Sequence, residues 1–289
     1  MASHIPARRI DYRIFDVYSE LTASERKLAD TIVECQDRFA SYSAAELARR
    51  AGVSKTTAAR LFKRLGFESF DEARIQARET PHWGSPLYDE RQSSDGRQIG
   101  LTNDAMTEHF ARDVENLRQT LSFLDKAVVA SAVEKLAAAR VIWVVGFRNS
   151  FALAHYVRGL LLNVRGDVRI FPTQAFDVPE DLASMREVDV VLAIGFRRRP
   201  DIFRAILEAA RARGVDIVLI TDKTASRSAE AANIVLRCQN RGAGRFDSYA
   251  AGICVLNYLA TEVAQELGDA ATSHLEQLED LHRKLNDLG

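Results

Sequence analysis

The sequence predicts an all-α domain followed by an α/β domain with a parallel sheet, and three features carry that prediction. Residues 22–65 contain short helices that open on capping residues. Residues 141–267 alternate apolar strands with helices over short connections. Between them, Thr80 to Gly100 holds two prolines and three glycines in a polar background, the composition of a linker. The expected boundaries are a helical domain at 1–79, a linker at 80–103 and the α/β domain at 104–289. A chain of 289 residues suits about two domains. An apolar fraction of 47% with 27% charged residues excludes a mostly disordered chain. No apolar run reaches the roughly 20 residues of a membrane span, and the N-terminus lacks a signal-like apolar core. Cys35, Cys238 and Cys254 are too scattered for a disulfide framework, so the expected compartment is the cytoplasm.

The elements follow in order. Thr22 and Glu25 have capping-box spacing, which starts a helix running to about Asp37. Ser43 and Glu46 repeat the device for a short helix ending at Gly52. Ser54 is placed to cap a third helix, Lys55 to Leu65. Beyond the linker, Asp104 to Leu124 carries Met106, Phe110, Leu117, Leu121 and Leu124 on one stripe. A helix from Lys126 to Ala138 leads to the first strand, Val141 to Val145, apolar on both faces. Strands near 168–171, 189–194, 216–221 and 233–238 alternate with helices near 150–164, 179–185, 201–213 and 225–232. Long helices at 247–267 and 274–288 close the chain, the last with Leu275, Leu278, Leu281, Leu285 and Leu288 in register.

The net charge of −1 conceals a local concentration. Between Ser43 and Phe67 stand Arg49, Arg50, Lys55, Arg60, Lys63 and Arg64 against one acid, Glu46, a local charge of +5. A short helix, a glycine-bearing turn and a second basic helix form a helix-turn-helix pattern, whose second helix enters the DNA major groove. Ala58, Leu61 and Leu65 can face the core while basic residues point outward. Arginine and lysine pair with guanine edges or phosphates, and threonine with bases. The candidate DNA-contacting residues are Ser54, Lys55, Thr56, Thr57, Arg60, Lys63 and Arg64.

These residues also carry a resemblance. Leu21 to Ala29 (LTASERKLA), Ala48 to Ser54 (ARRAGVS) and Lys63 to Phe70 (KRLGFESF) are similar to the RpiR family of bacterial transcription regulators. The resemblance implies an N-terminal DNA-binding helix-turn-helix and a C-terminal sugar-isomerase-like (SIS) domain, a flavodoxin-like parallel sheet. It also implies sensing of phosphorylated sugars and control of sugar uptake or catabolism. A two-fold assembly, a homodimer or tetramer, presents two recognition helices to a pseudo-palindromic operator.

The SIS part departs from its family. After the first strand, where such domains carry G-x-G-x-S, stand Gly146, Phe147, Arg148, Asn149 and Ser150. After the third strand, the usual S-x-S-G-x-T is replaced by Gly195, Phe196, Arg197, Arg198, Arg199 and Pro200. Arginine binds carboxylate and phosphate bidentately, so the arginines suggest a more anionic effector: a sugar acid, its phosphate or another carboxylate. The alternative is a decayed site whose arginines are solvated or pair across a dimer. Lys223 and Arg227 after the fourth strand, and Arg241, Arg245 and Ser248 before the long helix, are further candidates. Asp247 or Ser248 would also cap that helix.

No histidine spacing fits a metal, and no cofactor loop is present. Two other functions stay open: a sugar-phosphate isomerase, for which Glu180 and Asp181 lack an evident partner base, and an effector-blind DNA binder whose SIS domain only dimerises.

Overall fold

The computed structural model describes residues 10–79, 103–172, 177–197, 199–223, 225, 227–244 and 246–286. Residues 80–102 of the expected 80–103 linker, with Arg198, Arg245 and Leu288, lie outside these residues. The chain divides into two compact units. One comprises Met1–Val114, Lys223–Arg227 and Arg241–Ser248, the other Glu115–Asp222, Ser228–Asn240 and Tyr249–Gly289.

The first unit is a helical bundle of α1 (Ile10–Val17), α2 (Ala23–Glu34), α3 (Ala44–Arg50), α4 (Lys55–Arg64) and α5 (Phe70–Glu79). Helix α1 was not expected from the sequence; Ile10 and Ile14, one turn apart, are buried and tie it to the core. A 3-10 segment, Gln36–Ser41, takes over where α2 ends three residues short of the expected Asp37. It delivers Phe39 into an aromatic cluster, with ring centroids 6.2 Å from Phe62 and 5.6 Å from Phe70. Leu28, Ile32, Leu47, Leu61 and Phe62 complete the core. Truncating Phe62 to alanine is expected to cost about 3–5 kcal/mol.

The second unit is three-layered. Strands β1 (Ile142–Gly146), β2 (Val168–Phe171), β3 (Val190–Gly195), β4 (Asp216–Thr221) and β5 (Ile234–Arg237) form one parallel sheet in the order β2-β1-β3-β4-β5. Helices α7 (Lys126–Ala138), α8 (Asn149–Leu162) and α12 (Ala250–Leu267) pack one face, around Val133, Val157, Leu192 and Leu256. Helices α9 (Val178–Ser184), α10 (Asp201–Ala212) and α11 (Arg227–Ala231) pack the other, around Trp143, Phe203 and Leu219. Every residue of β1 and β3 is buried, which explains their unbroken apolar runs. Ion pairs gather at the N-terminal ends of the strands: Lys135 with Asp216 at 2.5 Å, and Arg140 with the fully buried Asp189 at 2.7 Å. The opposite ends are left to the loops.

Helix α6 (Asn103–Phe123) turns its apolar stripe outward. Its apolar stripe is not packed inward: Met106, Phe110, Val114 and Leu117 are exposed, and Leu121 is 74% exposed. The buried residues are polar, Asn116 and Thr120. The Thr120 hydroxyl accepts the Gln239 backbone N–H at 2.8 Å. The closing helix α13 (Asp269–Leu285) begins directly after Gly268, earlier than the expected His274. It leaves Leu275, Leu281 and Leu285 exposed.

Candidate nucleic-acid interface and effector site

Three side-chain caps fix the helices of the first unit. Glu25 accepts the Thr22 backbone N–H at 2.9 Å, and Glu46 accepts that of Ser43 at 2.7 Å. Ser54 accepts the Thr57 backbone N–H at 3.1 Å and so opens α4. The turn between α3 and α4 passes through Gly52 at φ 65°, a left-handed position that favours glycine. The backbone N–H of Val53 then bonds to Ala48 at 2.9 Å. At the far end of α4, Arg13 donates to the carbonyls of Leu65 and Gly66 at 2.9 and 3.1 Å, its guanidinium 4.3 Å from the Phe67 ring centroid.

Helix α4 buries Thr57, Ala58, Leu61 and Phe62 and exposes Lys55, Thr56, Ala59, Arg60, Lys63 and Arg64; Ser54, at its N-cap, is exposed too. Thr57 departs from its expected role as a DNA contact. Only 6% exposed, it pairs its hydroxyl with that of Ser54 at 2.9 Å inside the first turn. Arg64 is half-committed: it donates to the Glu20 carbonyl at 2.9 Å and to Glu25 at 3.3 Å. Burial works against the Glu25 carboxylate. The bonds from Thr22, with Arg64 and Arg60 nearby, nevertheless hold it below the ordinary glutamate range. Ala59 was missed by the sequence reading, although it stands one turn from Lys55 and Lys63. Its small side chain leaves the exposed face low enough for close approach.

In the second unit, the strand order reverses between β1 and β3, the place where open parallel sheets bind ligands. Arg148 follows β1 with φ 56° and ψ −127°, and Arg197 follows β3 with φ 35°. Positive φ in a bulky residue is strained, and such strain clusters at functional sites. Arg148 occupies the position of the second family glycine, and the backbone there keeps a glycine-like conformation. Arg148 and Asn149 are exposed while Ser150 is buried. Gly146 is required where it stands, since a Cβ there would lie 2.3 Å from the Ser150 carbonyl oxygen. Asn149 donates to the Tyr249 hydroxyl at 3.5 Å, and the Tyr249 ring lies 5.4 Å from that of Phe196. The loops after β1 and β3 and the start of α12 thus converge. Helices α8, α9, α10 and α12 all follow strands, and all begin without a side-chain cap. The positive ends of their dipoles favour an anion.

Arg199 corrects the expectation of an arginine cluster aimed at the ligand. Its side chain is 6% exposed and turned inward, donating to the Gly195 carbonyl and the Thr221 hydroxyl at 3.2 Å each. It pairs with the buried carboxylate of Asp222 at 3.3 Å. Asp222 also accepts the backbone N–H of Arg197, which fixes that residue's strained conformation. The sequence reading missed Asp222; its signal was an acid directly after the apolar strand DIVLIT. Of the remaining candidates, Arg241 and Ser248 are half-buried in the segment 241–248 of the first unit. Neither Asp247 nor Ser248 caps α12, whose N-cap is Tyr249. Lys223 is half-buried, and burial lowers its ammonium below the ordinary lysine range. Among the described residues no group of histidines, cysteines and carboxylates could hold a metal, and no helix is long and apolar enough to cross a membrane.

Comparison with known proteins agrees with this fold. The helix-turn-helix domain of the rpiR family matches residues 9–80, and the SIS domain matches residues 135–261. An uncharacterized HTH-type transcriptional regulator of Thermotoga maritima is 25% identical over 228 residues, 78% of this chain and 79% of that protein. The sugar isomerase domain of an RpiR transcription factor from Sphaerobacter thermophilus is 28% identical with a TM-score of 0.58, over 60% of this chain and 97% of that one. NanR of Vibrio vulnificus, solved with ManNAc-6P, shares the fold at 16% identity and a TM-score of 0.57, over 96% of this chain and 99% of that one. The chain is a transcriptional regulator of the RpiR family, an rpiR-family helix-turn-helix domain joined to a SIS domain.

Proposed function

We propose that this regulator binds double-stranded DNA through α4 as a homodimer or tetramer on a pseudo-palindromic operator. Its SIS domain senses a small anionic metabolite, a sugar phosphate, sugar acid or related carboxylate, and so controls carbohydrate or related catabolic genes in the cytoplasm. The observation that carries the effector reading is the pair Arg148 and Arg197. Both are held in left-handed backbone at adjacent strand ends, beside helix N-termini that no side chain caps. The sugar phosphate in NanR supports the same class of ligand on this fold. The outward apolar stripe of α6 supports self-association. It borders a groove of about 730 Å³ between α6, α7 and α12, lined by Leu117, Leu121, Val129, Val133, Val255 and Tyr258.

The test combines gel-shift binding to DNA upstream of the gene with thermal melting in a panel of sugar phosphates, sugar acids and di- and tricarboxylates. A ligand present at a hundred times its Kd adds about 2.7 kcal/mol of stability. One anion is expected to raise the melting temperature and change DNA affinity, and Arg148→Ala to abolish both effects. A panel without any shift would leave an effector-blind DNA binder. Failure to bind DNA at low salt would sink the whole reading.

A further inference from the structure

A second cavity, away from the ends of β1 and β3, opens at the free edge of the sheet. It encloses about 520 Å³ and is lined by Trp143, Phe151, His155, Arg158, Arg169 and Asp181, with Ile170. Its volume is that of a small-molecule site, and its walls combine aromatic surface with a few convergent polar groups.

The register of the sheet builds it. Trp143 of β1 pairs with Arg169 of β2, so both side chains stand on one face. The Arg169 guanidinium lies 5.2 Å from the Trp143 ring centroid. Trp143 is buried on the face of the sheet opposite α8, beneath Arg169. From α8, Phe151 and His155 stack edge to face, with centroids 4.4 Å apart, and both are exposed. Arg158 donates its Nε–H to the Val168 carbonyl at 3.1 Å, which fixes the side chain against the edge strand. Its Nη groups and the His155 ring nitrogens have no hydrogen-bond partner among the described residues. Asp181 contributes a buried Oδ2 that is also without a partner. Burial raises that carboxyl above the usual aspartate range, and Asp177 and Glu180 add to the effect against the opposing pull of Arg169. The lining therefore offers two guanidinium groups, the aromatic rings of Phe151 and His155, and one carboxyl group held above its usual range.

We propose that this cavity is a second ligand site, for a small aromatic carboxylate. The ring would lie against the exposed Phe151 and His155 rings, and the carboxylate on Arg158 and Arg169. A polar substituent on the far side of the ring would meet Asp181. Guanidinium groups suit a carboxylate, and an aromatic ring suits the two ring walls. The site is separate from the one built on Arg148 and Arg197, and it stands or falls independently of it.

The probe is 4-hydroxybenzoate, titrated calorimetrically into the full chain. One molecule per chain is expected to bind, with acetate and phenol at least tenfold weaker. Arg169→Ala, Arg158→Ala and Phe151→Ala each raise Kd at least tenfold. These three side chains are exposed or half-buried, so the variants keep their melting temperature. Arg148→Ala leaves Kd unchanged. In a Trp83→Phe background, where Trp143 is the remaining tryptophan, the ligand quenches its fluorescence. The proposal is overturned if 4-hydroxybenzoate does not bind. It is equally overturned if acetate or phenol binds as tightly, or if Arg148→Ala rather than Arg169→Ala abolishes binding.

Discussion

The helical bundle and the sheet edge treat helix N-termini and arginines in opposite ways. In the bundle, Thr22, Ser43 and Ser54 cap α2, α3 and α4, and the exposed face of α4 presents Lys55, Arg60 and Lys63 to solvent. At the sheet edge, α8, α9, α10 and α12 start uncapped, and Arg199 is drawn inward by Asp222. A bundle that docks rigidly on DNA benefits from satisfied helix ends and outward cations. A site that receives an anion benefits from helix ends with no capping side chain in place, where the dipole favours the ligand's charge. A run of arginines therefore does not by itself measure available positive charge. A buried acid nearby decides which of them remain for a partner.

The largest effect is expected where the two regions differ most. Asp222→Ala strands the Arg199 guanidinium in the interior, and removing one partner of a buried pair costs about 3–5 kcal/mol. Chemical denaturation reads this directly, and a loss below about 1 kcal/mol would mean that Arg199 can leave its pocket for a ligand. Arg60→Ala in α4 is the reverse case. Its DNA affinity should fall by about 1–3 kcal/mol in gel-shift titration, while stability stays within about 0.5 kcal/mol. Lys63→Ala should reduce the salt slope of binding by about one if it meets a phosphate.

How much of this was legible beforehand follows the range of the interactions involved. The caps at Thr22, Ser43 and Ser54 join residues three apart, and the strands are continuous apolar runs, so both could be read locally. The inward turn of Arg199 depends on Asp222, 23 residues away in sequence, and no local pattern encodes it. The buried Thr57 shows the same limit on a smaller scale. Its type suits base contact, but its place in the first turn of α4 commits its hydroxyl to Ser54. The α6 stripe is visible in the sequence as a stripe, yet periodicity does not say whether an apolar face meets its own domain or another chain. Helix α1 escaped because eight residues with two isoleucines form too short a signal.

Capping sharpens the contrast at a smaller scale. Ser43→Ala should cost about 1 kcal/mol through loss of the box on α3. Asp177→Ala, at the uncapped start of α9, should change stability by less than about 0.5 kcal/mol. Glu25 adds a pH signature. Its folded pKa lies below the unfolded value, so its contribution is fully present above the unfolded glutamate pKa and is lost as pH falls through the folded one. Thr22→Ala removes the hydroxyl bond to the carboxylate while leaving the backbone N–H bond in place, and should partly flatten that acid limb in a series of melts below pH 5. An unchanged limb would show that the backbone N–H of residue 22, with Arg64 and Arg60, sets it.

The smallest change asks whether the strain at Arg148 serves a ligand. Its backbone, at φ 56° and ψ −127°, is one that glycine adopts without penalty. Arg148→Gly should therefore stabilise the unliganded protein by roughly 1 kcal/mol, whereas Arg148→Ala keeps the strained backbone and gains nothing. If the guanidinium clamps an effector, both variants lose the ligand-induced rise in melting temperature, and the glycine variant does so while being the more stable protein. That separation of stability from response cannot arise from a decayed loop. There, glycine would stabilise the chain and leave every ligand shift as it was. A glycine variant with no gain in stability would instead mean that the loop relaxes around Arg148. The left-handed conformation would then be a consequence of the fold around Gly146 and Ser150, and the case for an anion at this edge would rest on the uncapped helices and Arg197.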